Sequence, residues 1–329
     1  MLQDYNNINN KDFTKFNIIL LFSHSICIIV IIMTNNPKIF TFWEPKGKMP
    51  AYIQLCMQTW RKFLPEYEII VVDYSNIDKY LGKNFYDEIL YKDFRLMLQA
   101  DAIRCALLKL DGGILIDADT IITSTEVNNY LKNSTHKLVF IGQHLAFIKA
   151  DKLSPLLNYW LKKIKYRIEF YKTQKYRKNK LKSKIEHLFH LRLFKIMNSW
   201  DYFGNSIIGK NINGNIIFRI SRKIKNKLNF PVLYNYLTKR RKILSIDRIE
   251  INALPEIIGK KNTSQENLIR NYQNFYFEND YSQEVIKNTK GIILLHNSWT
   301  PQKYKEMTKE EFLSQNNTLS NVLKTILTK

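Results

Sequence analysis

The sequence predicts an α/β fold, a Rossmann-like mixed sheet flanked by helices, with a basic and largely helical accessory region in the middle of the chain. Three observations predict it. Short apolar runs bounded by turns (KIFTFW, EIIVVD, GIILL) alternate with segments of helical period. The first two runs bracket a helical segment, and a βαβ order implies a parallel pair. From Lys162 to Lys184 the chain holds eleven Lys or Arg against one Glu, interleaved with Tyr166, Phe170, Tyr171 and Tyr176, a solvated helical face by composition. With 329 residues, 45% hydrophobic and 13% aromatic, there is enough apolar material for a large core.

Taken in order, Ile18 to Met33 is a sixteen-residue apolar run broken by Ser23, His24 and Ser25. It is shorter than the roughly 20 residues of a spanning helix, and its flank lacks the basic n-region and small-residue cleavage site of a secretory signal. The preferred reading is a start at Met33, ahead of the polar lead MTNNP; a short membrane segment is the alternative. Lys38 to Trp43 reads as the first strand, Tyr52 to Phe63 as a helix and Glu68 to Asp73 as the second strand, with Pro65 between them. From Phe94 to Leu110, apolar residues at 96, 100, 103, 107 and 110 give an amphipathic helix. Asp111-Gly112-Gly113 ends it with residues that tolerate positive φ, and Ile114 to Ile116 forms a buried strand. Near the end, Gly291 to Leu295 is another apolar strand.

The chemistry concentrates where those strands finish. Ile114 to Ile116 delivers Asp117-Ala118-Asp119 at its carboxyl end, where open α/β sheets bind ligands. Alternate residues of a strand face one side, so the two carboxylates are expected together, as a site for a hard divalent cation, Mg²⁺ or Mn²⁺. Alone, Asp-x-Asp arises often by chance and marks no more than a solvated loop. Asp101 and Arg104 lie three apart on the preceding helix and share its face.

Together, LQADAIRCALLKLDGGILIDADTII resembles the Asp-x-x-Arg, Gly-Gly, Asp-x-Asp block of glycosyltransferase family 32 and the capsular polysaccharide synthesis proteins. The resemblance runs from Pro37 to about Ile122 and resumes near the C-terminus. It implies a GT-A fold, a nucleotide-sugar donor, a divalent metal and retention of anomeric configuration. It makes Asp101 and Arg104 contacts to the donor's sugar and diphosphate, and Asp117 a ribose, sugar or water-mediated metal contact. Asp119 becomes a direct metal ligand, and Trp43 a residue that stacks on the base. The pattern departs at Leu115, where many relatives carry an aromatic residue. His296-Asn297-Ser298-Trp299 is similar to the element that closes over the diphosphate, with His296 as third metal ligand, Ser298 as diphosphate or metal contact and Trp299 in the lid. On this reading residues 33–150 form the donor-binding core, 151–245 the basic acceptor and membrane side, and 246–329 complete the site. Within Trp200 to Ser206, Asp201 and Asn205 are the acceptor-side candidates.

The net charge of +22 gives a sign but no partner, because the lysine excess accompanies the Asn, Ile, Tyr and Phe richness of an AT-rich coding sequence. No helix-turn-helix, RNA-recognition or zinc-finger pattern accompanies it, so nucleic acid is not expected. Cys27, Cys56 and Cys105 form no Cys-x-x-Cys pair and suit a reducing cytosol. The expected partners are a nucleotide sugar and a glycan or lipid-linked glycan acceptor. The two basic runs, 162–184 and 239–242, would hold a cytoplasmic enzyme against the anionic face of a membrane. Leu115 to Thr120 also resembles the start of haloacid-dehalogenase phosphatases, although the later aspartates Asp151, Asp201, Asp247 and Asp280 stand alone rather than as the acidic pair that superfamily needs.

Overall fold

The computed structural model describes residues 16–23, 26–33, 37–82, 93–132, 136–141, 145–176, 196, 199, 201–246 and 264–328. The apolar run forms an antiparallel hairpin of β1 (Phe16–Ser23) and β2 (Ile26–Met33), paired, among the described residues, with each other alone. Then follow β3 (Lys38–Phe42), α1 (Ala51–Phe63), β4 (Glu68–Val72), α2 (Ile77–Leu81), α3 (Leu96–Leu110), β5 (Gly113–Ile116) and β6 (Thr120–Ile122). The middle of the chain gives α4 (Asn128–Leu131), β7 (Leu138–Ile141), β8 (Phe147–Ala150), α5 (Pro155–Tyr176), α6 (Asn205–Asn213), α7 (Ile216–Leu228), α8 (Val232–Arg240) and β9 (Ile243–Ile246). The last part holds α9 (Gln265–Gln273), α10 (Ser282–Asn288), β10 (Ile292–Leu294), α11 (Gln302–Glu306), α12 (Lys309–Ser314) and α13 (Thr318–Thr328).

Six strands make one mixed sheet in the order β4-β3-β5-β8-β7-β9. The pairs β4/β3, β3/β5 and β7/β9 are parallel, and β8 runs antiparallel between β5 and β7. This is the predicted α/β class, a Rossmann-like mixed sheet with helices on its faces. Because β3 and β5 run together, their carboxyl ends bring Trp43 and Asp117 to one edge. A separate two-stranded ladder pairs β10 with β6, Leu294 opposite Thr120, which ties the C-terminal part of the chain to the residue after Asp119.

Buried contacts explain the layering. One face of the sheet packs Phe40, Leu115 and Ile148 against Ile103, Leu107 and Trp160 of α3 and α5. The other packs Ile39, Ile114 and Phe147 against Trp60 and Met57 of α1. α1 also fixes β6: the Trp60 indole N–H donates to the Thr120 carbonyl (2.7 Å), and the Ile122 N–H donates to the Thr59 hydroxyl (2.9 Å). Cys56 and Cys105 are free and buried. Among the described residues, no helix is long and apolar enough to cross a membrane.

The α3–β5 turn is as tight as its glycines suggest. Gly113 has φ +94°, and a Cβ there would sit 2.8 Å from the Lys38 carbonyl oxygen of the neighbouring strand. Gly113→Ala is therefore expected to cost about 2 kcal/mol or more in urea unfolding, with the slope unchanged.

The basic run from Lys162 is only partly a surface. Its described portion lies on α5, where Arg167 is buried and donates to the Tyr202 carbonyl and the Ser206 hydroxyl. Arg167 thus anchors the 201–206 loop. Residues 177–184, Trp200 and Asp247 lie outside the described residues.

Candidate active site

The site is built from the carboxyl ends of β3 and β5, the middle of α3, the 201–205 loop and the segment after β10. Asp117 is held by its backbone, whose N–H donates to the Ala146 carbonyl (2.8 Å). The Thr120 N–H then closes a turn onto the Asp117 carbonyl (3.0 Å). This corrects one sequence expectation. Asp117 and Asp119 are not alternate residues of a strand but flank a turn, so they are held by different partners.

Asp117 turns to Arg104, whose guanidinium bridges its Oδ1 and the Oδ1 of Asp101, the latter at 3.3 Å. Arg104 also reaches the Leu145 carbonyl (3.5 Å), and Leu145 itself has the rare φ of +59° for a non-glycine residue, a backbone strain placed at the site. Asp119 turns the other way, and its Oδ2 accepts the Asn297 N–H at 2.7 Å. The Leu295 N–H donates to the Asp119 carbonyl (3.2 Å), so β10 and the following turn pack directly on the motif.

The charges do not balance. Asp101, Asp117 and Asp119 surround one guanidinium, and Asp201 is close enough to Asp101 to add to the repulsion. Burial raises Asp101 to about 7, with Asp117 and Asp201 adding to the rise and Arg104 opposing it. Burial raises Asp119 to about 7 as well, with Asp117 adding, while hydrogen bonds to its carboxylate and Arg104 pull it back. Burial also moves Asp117 upward against the pull of Arg104. Arg104 itself is raised: burial works against its charge, and the three carboxylates more than offset that. A cluster that cannot hold all its charges unaided is suited to an added cation.

The segment after β10 forms a single turn, Asn297–Trp299. The His296 and Trp299 rings lie 4.1 Å apart, and Tyr272 of α9 sets its ring edge-on to Trp299 at 5.6 Å. The Tyr272 hydroxyl accepts the His296 N–H (3.1 Å), and Gln273 donates to the Trp299 carbonyl (3.0 Å). From α1, the Tyr52 hydroxyl meets Asn297 Oδ1 at 2.5 Å and Thr300 Oγ1 at 3.3 Å. Trp43 is half-buried and packs on the same aromatic cluster as Trp299, and Ser298 is exposed. Among the described residues, no three His, Cys, Asp or Glu side chains are set to hold a metal ion. Asp117 is engaged by Arg104, Asp119 by Asn297 and the His296 ring by Trp299, so these three do not form a preformed ligand triad.

On the acceptor side, Asp201 is half-buried with its Oδ1 lacking a partner among the described residues, and burial raises its carboxyl while the Ser206 and Asn205 N–H groups pull it back. Asn205 opens α6. Both border a cavity of about 970 Å³ that continues past Lys210, Arg219, Arg241 and Lys242.

Sequence reasoning missed Tyr52 and Tyr272, and read Gly204 only as part of the acceptor loop. A Cβ at Gly204 would meet Asp101 Oδ2 at 2.5 Å, so glycine is what lets the 201–205 loop lie on the carboxylate cluster. The two tyrosines gave no local signal beyond an apolar helix face.

A six-stranded mixed sheet flanked by helices is the layout of a GT-A-like Rossmann fold. The family model described as capsular polysaccharide synthesis protein matches residues 31–203, more than half of the chain. The chain belongs to that family, and membership assigns it a role in capsular polysaccharide synthesis. No curated protein matches the sequence. The family match takes in Trp43, Asp101, Arg104, Asp117, Asp119 and Asp201, and stops before Asn205 and the 296–299 turn.

Proposed function

We propose that this protein is a hexosyltransferase-type glycosyltransferase that moves a sugar from a nucleotide-sugar donor to a bacterial surface polysaccharide acceptor, capsule or lipooligosaccharide, with Mn²⁺ or Mg²⁺. The observation that supports it most is the excess of buried carboxylate around Arg104 at the edge where β3 and β5 end. A divalent ion fits that cluster, because such ions take one or two protein carboxylates and complete their shell with phosphate oxygens and water. Asp119 would hold it directly, through the oxygen not used by Asn297, and Asp117 through water. When bound, it would neutralise charge on the departing diphosphate.

The chain's own groups supply the rest. Arg104 fixes the Asp117 carboxylate and adds positive charge where the diphosphate would lie. Asp101, with its carboxyl near 7, can both donate to and accept from a sugar hydroxyl. Trp43, at the same edge, would stack on a base, and the 296–299 turn, carrying Ser298 and Trp299, would close over the donor and exclude water. Asp201 and Asn205, on the loop that lies on Asp101, would receive the acceptor hydroxyl. An acceptor carried on lipid would put this enzyme at the cytosolic face of the membrane.

The test is nucleotide release from a panel of UDP-, GDP- and CMP-sugars by the full chain, with Mn²⁺ or with EDTA. Release from one donor that EDTA abolishes is the expected result. Silence across the panel together with turnover of a generic phosphate ester would replace the transferase by a phosphatase.

A further inference from the structure

The helices after Gly204 border the acceptor-side cavity with some of their residues and carry on the others a surface that the chemistry of the site does not use. Between Asn205 and Lys242 there are ten Lys or Arg and no Asp or Glu. Within that stretch α7 and α8 form a hairpin, with Asn229 (φ +51°) ending α7. One aromatic from each helix is turned inward: Phe218 and Tyr234 are buried, with ring centroids 5.3 Å apart. Cations cover this pair, Arg241 at 4.0 Å over Phe218 and Lys225 at 4.6 Å over Tyr234.

What remains outside is apolar. At about 100° per residue, Ile216, Ile217, Ile220 and Leu228 fall within one arc of about 120° on α7, with Ile216 and Ile220 opposite Phe218. They are 50% to 72% exposed. Val232, Leu233 and Tyr236 share the corresponding side of α8, and Phe230 joins the two helices, all of them exposed. A helix at a water-facing surface normally turns its apolar stripe inward. Here both helices turn it outward, with Lys223 and Lys239 at its margin and Lys227 within it at the end of α7. Single exposed apolar residues need no explanation, but a contiguous band does.

The charge decides what covers it. A second copy of the same face would oppose like charges with no carboxylate to pair them, and a nucleic acid would leave the isoleucines in water. A bilayer with anionic headgroups satisfies both parts: phosphates take the cations and the acyl boundary takes the apolar band. We propose that the α7–α8 hairpin docks this protein on an anionic lipid surface, with Ile216, Ile217, Ile220, Phe230, Val232 and Leu233 entering the headgroup boundary. The inference does not depend on the chemistry of the site. It has a consequence for it, because α6 leads from Gly204, beside Asp101, into the hairpin, so docking holds the carboxylate cluster near the membrane surface.

The test is flotation of the full chain with vesicles of phosphatidylglycerol and phosphatidylcholine, and with phosphatidylcholine alone. Two variants accompany it, Ile217→Ser/Ile220→Asn/Leu233→Asn and Lys223→Glu/Lys227→Glu, each checked for wild-type helix content. The expected result is flotation only with the anionic vesicles and partitioning weakened about tenfold or more in both variants. Metal-dependent donor release in solution should be unchanged in both. A wild-type chain that stays in the soluble fraction overturns the proposal, as does an apolar variant that floats like the wild type. A wild-type dimer that the apolar variant makes monomeric would assign the band to self-association and overturn it too. Loss of donor release in every chain, wild type included, would count against the transferase reading alone.

Discussion

Asp119→Asn is expected to lower nucleotide release and sugar transfer by about a thousandfold or more while leaving the protein folded. The amide keeps an oxygen that can accept the Asn297 N–H, now made by Asp119 Oδ2 at 2.7 Å, so the link between the motif and the 296–299 turn survives. It removes the charge, which is what an oxygen-bound divalent ion requires. The same substitution relieves a group whose carboxyl is pushed to about 7 by burial and by Asp117, so the unfolding midpoint should stay level or rise. Two readings separate the possibilities. Mn²⁺ should raise the thermal midpoint of the wild type and not of the variant, and steady-state release should collapse in the variant. Full activity in Asp119→Asn would remove the metal role from this residue, whatever the wild type binds.

The parts of this fold legible from sequence are those with a local cause. β3, α1, β4 and α3 follow from apolar period, and the α3–β5 turn from two adjacent glycines whose φ values are +70° and +94°. The Asp101–Arg104 pairing was readable because three residues of helix bring side chains onto one face. The order of the sheet beyond β5 was not, since β7, β8 and β9 are four-residue strands whose antiparallel and parallel pairings are fixed by distant partners. The divergence of Asp117 and Asp119 depends on one turn hydrogen bond, which strand alternation does not foresee. Gly204 owes its role to Asp101, a residue 103 positions earlier, and Tyr52 owes its role to Asn297, 245 positions later. The outward apolar face of α7 shows the same limit: helical period gives the stripe, but only the packing of Phe218 against Tyr234 shows which side is left outside.

Arg104→Met should destabilise the protein more than any other single change at the site. Among the described residues the guanidinium is the one cation bonded to both Asp101 and Asp117, whose side chains are 12% and 26% exposed. Removing one partner of such a buried cluster typically costs about 3–5 kcal/mol, because the charges left behind are neither solvated nor paired. The loss should depend on pH in a definite direction. Asp101 is raised in the folded protein from 3.8 to about 7 even with Arg104 present. A folded carboxyl above its unfolded value means that the native state binds more protons than the unfolded one. That contribution favours folding below about 4 and is lost as pH rises towards 7. Without Arg104 the carboxyls rise further, so the variant should recover much of its stability near pH 4 and lose it through neutrality. Urea unfolding of both proteins across that range is the measurement. A gap between them that stays constant with pH would mean that Arg104 holds the site by packing rather than by charge.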